Sequence, residues 1–148
     1  MFKSPQAVLI HNQPESRANA PCLFALTGQS NISNSKNPLT MIAFASSMGY
    51  HTLLDAAALA PSSSISLSDY PQLDAMAVSF YKMFGFPTGV GALIVKKSFL
   101  ARLERPWFAG GNVSVVQVPG TLVTRTHHIH EQFEVYFLAT FYCFFVSL

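Results

Sequence analysis

Four short apolar runs, Cys22–Leu26, His51–Asp55, Ala75–Phe80 and Ala92–Lys96, constrain this chain more than any other feature. Each is nearly continuous rather than alternating, the pattern of strands covered on both faces. Between the first two, Pro38 opens a helix expected to run to about Ser47. Proline suits a first helical turn, Leu39, Ile42, Ala43 and Ala45 fall largely on one side, and Gly49 ends the element. A further helix is expected around Ser98–Arg102, with Ser98 as its cap. The order strand, helix, strand, strand, strand suits an α/β fold, a mostly parallel sheet flanked by helices. No internal repeat is visible.

In open α/β sheets, ligands bind outside the carboxyl ends of the strands. Three of the runs end in polar groups: Leu26 leads to Gln29-Ser30-Asn31, Leu54 to Asp55, and Val78 to Ser79 and Lys82. If these strands are parallel neighbours, their ends meet in one crevice. Read singly, Asp55 is a cap or turn former, Ser79 and Thr88–Gly91 are turn residues, and Lys82 is a solvated lysine at a strand end. Read together, with the turn Pro87–Gly91, they supply an amine, a carboxylate, hydroxyls and exposed backbone N–H groups. Pyridoxal phosphate needs that set: an amine to condense with its aldehyde, a carboxylate to keep its ring nitrogen protonated, and donors for its phosphate.

Hydrophobic residues make up 50% of the 148 and charged residues only 11%, against roughly 25% charged in ordinary domains. A surface this poor in charge implies that another chain covers part of it, or that the molecule is incomplete. The net charge is +2 with scattered basic residues, which argues against a nucleic-acid footprint. Cys22 and Cys143 match no metal spacing and read as incidental thiols in a reducing, cytoplasmic compartment. The cluster His127-His128-Ile129-His130 lacks a carboxylate or thiolate at a spacing that would complete a metal site. No signal-peptide pattern follows Met1. Residues 135–148 carry no charge but fall short of the about 20 residues a bilayer span requires. A buried strand, an interfacial tail or a non-native extension each fit that tail better than a membrane anchor.

Four stretches point to a family: Gln29–Asn31, Leu53–Ala58, Val78–Val95 and Arg105–Asn112. They resemble the class V aminotransferase-like region of molybdenum cofactor sulfurases, whose broader relatives are the cysteine desulfurases. Ser79-Phe-Tyr-Lys-Met-Phe-Gly85 is the most specific of them, and the resemblance runs from about Cys22 to Glu134. It implies the partial large domain of a fold-type I pyridoxal phosphate transferase over 22–134, with a poorly defined segment over 1–21 and a hydrophobic tail over 135–148. By position, Lys82 would be the lysine that condenses with the cofactor and Asp55 the partner of its ring nitrogen. Ser79 would bind the phosphate, and Asn31 would lie near the cofactor hydroxyl or the substrate carboxylate. Gly110 and Gly111 would lie at a dimer-side edge of the site. L-cysteine and the molybdenum cofactor are the implied partners, with homodimerisation in the complete protein.

The departures are informative. Ala58 stands where desulfurases commonly have Gln, and Tyr81 where they have His, both closer to the sulfurase branch. Ala109 and Asn112 stand where sulfurases would carry Gly and Thr. The ring-stacking group, phosphate loop and persulfide cysteine of the family have no counterpart here. A non-catalytic fragment or interaction partner, lacking half the cofactor pocket, is therefore the alternative to a sulfur-mobilising enzyme. A small membrane-associated protein using residues 135–148 is a third reading.

Overall fold

The computed structural model describes residues 4–14, 21–85, 89–104, 112–120, 122–133 and 143–147. Its centre is a five-stranded sheet: β1 (Leu23–Thr27), β2 (His51–Asp55), β3 (Ala75–Ser79), β4 (Gly91–Val95) and, late in the chain, Cys143–Ser147. They lie in that order. The first three are parallel neighbours, β4 runs antiparallel to β3, and Cys143–Ser147 lies parallel to β4. Residues of the hydrophobic tail thus contribute a strand. Numbered in chain order, two further strands precede it, β5 (Val113–Val116) and β6 (Val123–Arg125), which pair in a separate antiparallel ribbon. The late strand is therefore β7.

Strand alternation sends side chains to two cores, one on each face of the sheet. Leu54, Met76 and Ile94 point to the larger core, where Met41, Ile42 and Ala45 of α2 (Thr40–Ser47) cover them. Leu53, Ala75, Leu93 and Val95 point the other way, onto Phe99 and Leu100 of α4 (Lys97–Leu100) and onto Ile129 and Phe133. Burial on both sides explains why the strands read as continuous apolar runs. Leu54 and Ile42 are wholly buried, and each such side chain contributes about 1.5–3 kcal/mol.

The helix boundaries come from caps. α2 begins two residues after Pro38, whose carbonyl accepts from the Met41 N–H at 3.1 Å. It ends where Gly49 takes φ +85°. The Gly49 N–H donates to Ser46 O at 3.0 Å and the Tyr50 N–H to Ala45 O at 3.1 Å, a paired closure that needs a left-handed residue between the last turn and the strand. Ser98 is not a cap: it lies inside α4, whose cap position is Lys96 and has no side-chain hydrogen bond. Lys82 lies on a short helix, α3 (Phe80–Phe84), where the sequence suggested only a turn.

Within residues 4–14 the chain forms a short capped helix. Ser4 caps α1 (Pro5–His11), accepting from the Ala7 N–H, and Pro5 occupies the first turn. Leu9 is buried in the larger core. The Tyr50 hydroxyl donates to Leu9 O at 3.0 Å and lies against Asn12 O, tying the end of α1 to the start of β2.

Leu54→Ala is expected to cost about 2–5 kcal/mol by leaving a cavity between α2 and the sheet. Ile32→Ala, at a position 99% exposed, should shift stability by less than about 0.5 kcal/mol. Urea unfolding midpoints of the two variants check the contrast.

Candidate functional site

β1, β2 and β3 are aligned so that Thr27 stands opposite Asp55, and Asp55 opposite Ala77. Three parallel carboxyl ends therefore open onto one edge of the sheet. Asp55 closes β2, Ser79 closes β3, and the loop after β1 carries Asn31. Alternation along β2 and β3 sets residues 51, 53 and 55, and 75, 77 and 79, on the same face, the one that Leu53 and Ala75 mark as the second core.

The loop is built around Gly28. Its N–H donates to Asp55 O at 2.8 Å. A β-carbon at Gly28 would meet Leu59 Cδ2 at 2.8 Å and Asp55 O at 3.2 Å, so glycine lets the loop lie this close to the end of β2 without those neighbours shifting. Asn37 closes the loop, its backbone N–H on Gly28 O at 2.9 Å and its Nδ2 on Thr27 O at 2.7 Å. Inside it, the Ser30 hydroxyl accepts from Ile32 and Ser33 N–H groups, and the Ser30 N–H donates to Ser35 O. The buried Gln29 accepts from the Ser62 hydroxyl at 3.1 Å, and Lys36 Nζ reaches Ser63 Oγ at 2.7 Å. These two contacts pin the loop to the serine-rich segment that follows β2.

Held this way, Asn31 meets the lysine. Lys82 Nζ donates to Asn31 Oδ1 at 2.5 Å, and lies 5.7 Å from the centre of its neighbour's ring, Tyr81. Because β2 lies between β1 and β3, this contact spans the end of the strand that Asp55 terminates. One Asp55 oxygen, Oδ1, accepts from the Ala57 N–H at 3.0 Å, which fixes the carboxylate in an Asx turn. Among the described residues nothing donates to the other oxygen, Oδ2. Ser79 occupies the cap position of α3, yet its hydroxyl makes no capping hydrogen bond. An amine, an uncommitted carboxylate oxygen, an uncommitted hydroxyl and a side-chain amide thus stand at three adjacent strand ends.

Asn31, Asp55, Ser79 and Lys82 are all gathered at this edge, whereas Gly110, Gly111 and the turn 86–88 lie outside the described residues. Gly28 and Asn37 are the shaping residues that sequence reasoning passed over. A glycine directly after an apolar strand was the available signal for the first; the second acts on a carbonyl 10 positions away, a partner no local pattern announces. Among the described residues no three His, Cys, Asp or Glu side chains are gathered as a metal site. No helix among them is long and apolar enough to cross a membrane.

A mostly parallel sheet with an amine, a carboxylate and a hydroxyl at one edge defines a class, and comparison with known proteins gives it a name. Residues 6–134 match the aminotransferase class-V family, and the chain belongs to it. Among curated proteins it is similar to the molybdenum cofactor sulfurase of Bos taurus, 37% identical over 123 residues, covering 77% of this chain and 14% of that protein. The Aspergillus oryzae sulfurase is 41% identical over 124 residues, covering 78% and 15%. The Arabidopsis thaliana sulfurase is 34% identical over 134 residues, covering 81% and 16%. The chain thus spans about one-sixth or less of the length of these relatives. Among solved structures, an apo cysteine desulfurase from Thermococcus onnurineus NA1 superposes with a TM-score of 0.61 at 26% identity, covering 76% of this chain and 28% of that one. The architecture is that of part of a fold-type I large domain.

Gly28→Ala is expected to cost about 1–3 kcal/mol through overpacking and to disturb the turn that Asp55 Oδ1 makes with Ala57. Chemical denaturation, together with the amide NMR shift of Ala57, checks both effects.

Proposed function

We propose that this chain carries the cofactor-gripping edge of a pyridoxal phosphate-dependent enzyme of the molybdenum cofactor sulfurase type, which mobilises sulfur from L-cysteine toward the molybdenum cofactor. One observation carries the reading: Lys82 and Asn31 meet across the end of β2, where Asp55 keeps one carboxylate oxygen uncommitted. The donor set fits the cofactor, with an amine for its aldehyde, an anion for its ring nitrogen and a hydroxyl for its phosphate.

When bound, pyridoxal phosphate supplies an aldehyde carbon for the amine and a ring that withdraws the electron pair released at the substrate carbon. Lys82 would hold the cofactor through Nζ, and its amine would be placed to carry protons there. Asp55 Oδ2 would hold the proton on the ring nitrogen, while Oδ1 stays on the Ala57 N–H and keeps the carboxylate from turning away. The Ser79 hydroxyl, which makes no capping hydrogen bond, would donate to the phosphate. Asn31 orients the amine and offers its side-chain N–H to an oxygen of cofactor or substrate. By the resemblance, Gly110 and Gly111 would lie at a dimer-side edge of the same site. The similarity to sulfurases, and to a cysteine desulfurase in structure, supports cysteine as the sulfur source.

The test is a titration with pyridoxal phosphate followed by absorbance, paired with sulfide release from L-cysteine. The native chain should develop a saturable visible band that Lys82→Ala lacks. Asp55→Asn should retain attachment but slow sulfide release by at least about tenfold, the scale of one lost charge-assisted hydrogen bond. A band of normal intensity in Lys82→Ala would overturn the assignment of the lysine, and full turnover in Asp55→Asn that of the carboxylate.

A further inference from the structure

At the other end of β2, away from the Asn31–Lys82 contact, the structure holds a second polar constellation. His51, Asp74, Ser98, Phe99 and Arg102 line a cleft of about 130 Å³. His51 begins the strand that Asp55 ends, and a strand advances about 3.3 Å per residue, so the cleft is separate from the edge described above. We infer that it binds a small phosphate-type oxyanion, gripped by the Arg102 guanidinium and the Ser98 hydroxyl.

The bonding pattern sets the charges. Asp74 Oδ2 accepts from the Thr52 N–H at 3.0 Å and from His51 Nδ1 at 3.1 Å, while Oδ1 lies 3.6 Å from Lys96 Nζ. The carboxylate is thereby committed to partners of this chain. A carboxylate only accepts, so the His51 proton sits on Nδ1; a guanidinium only donates, so His51 Nε2 accepts from Arg102 NH1 at 3.1 Å. Phe99 packs its ring 5.0 Å from that of His51 and fixes the plane of the imidazole.

Arg102 is thus held by an imidazole nitrogen instead of a carboxylate. Among the described residues it makes no ion pair, and Lys96 already neutralises Asp74. A guanidinium presents five N–H donors in a planar fork, and one bond to His51 leaves the rest for an anion, which such a fork grips through two oxygens. Ser98, exposed beside it on α4, adds a hydroxyl donor. A volume of about 130 Å³ is roughly ten times the ~10–15 Å³ that one water occupies by this measure. It has room for an ion of several heavy atoms.

The site stands independently of the pyridoxal phosphate reading, and so does its test. Spectra of the imidazole nitrogens of the full chain are followed during titration with inorganic phosphate, then with chloride at equal ionic strength. Phosphate should shift the His51 Nε2 resonance saturably, and chloride should not. Arg102→Gln should weaken binding by at least about tenfold, and Ser98→Ala should weaken it measurably. Both positions are exposed, so the fold should survive, which the thermal melt checks. Glycerol phosphate in a third titration separates the sources: tighter binding assigns an esterified phosphate, equal or weaker binding the free ion. An equal response to chloride, a shift that never saturates, or undiminished binding in both variants would overturn the inference.

Discussion

The in-register parallel pairing of β1, β2 and β3 is the constraint on which the rest depends. It sets Thr27, Asp55 and Ala77 in one row, so whatever follows those residues emerges at a single edge. The row is rigid because both faces of the sheet are packed, Leu54 and Met76 beneath α2 and Leu53 and Ala75 toward α4. Polar groups at strand ends inherit that rigidity, whereas side chains on longer loops would have to be ordered when a ligand binds. The loop after β1 is the exception that had to be built. Gly28 lays it against the end of β2, and Asn37 closes it back onto Thr27.

Much of this was legible in the residues. The apolar runs at 51–55 and 75–79 are strands because burial on two faces demands continuous hydrophobicity. Gly49 ends α2 because a left-handed residue was needed there. The polar residues after Leu26, Leu54 and Val78 share an edge because the strands carrying them are parallel neighbours. What was not legible rests on partners distant in sequence or on short elements. Helix α3 is only five residues long, too brief for a 3.6-residue period to declare itself. The reversal of β4 against β3 and the pairing of β7 with β4 leave no trace in local pattern. Ser4-Pro5 carried a helix-start signal that the weak periodicity of Ala7–Ile10 obscured. Ser98 looked like a cap, but Lys96 takes that position because its extended backbone is where the chain leaves β4.

Strand β2 organises both ends of the molecule. On one face it carries His51, Leu53 and Asp55, a polar residue at each end with an apolar one between. At its amino end the carboxylate of Asp74 is consumed by backbone, imidazole and lysine, leaving a cation exposed. At its carboxyl end the carboxylate of Asp55 keeps an oxygen in reserve. The same residue type therefore serves opposite purposes, and the difference lies in how many donors surround it.

The most direct measurement is to incubate the chain with pyridoxal phosphate, fix the attached group with borohydride and locate it by peptide mass mapping. The account predicts a pyridoxyl mass on Lys82. A label confined to Lys36, Lys96 or Lys97, with position 82 unmodified, would contradict it.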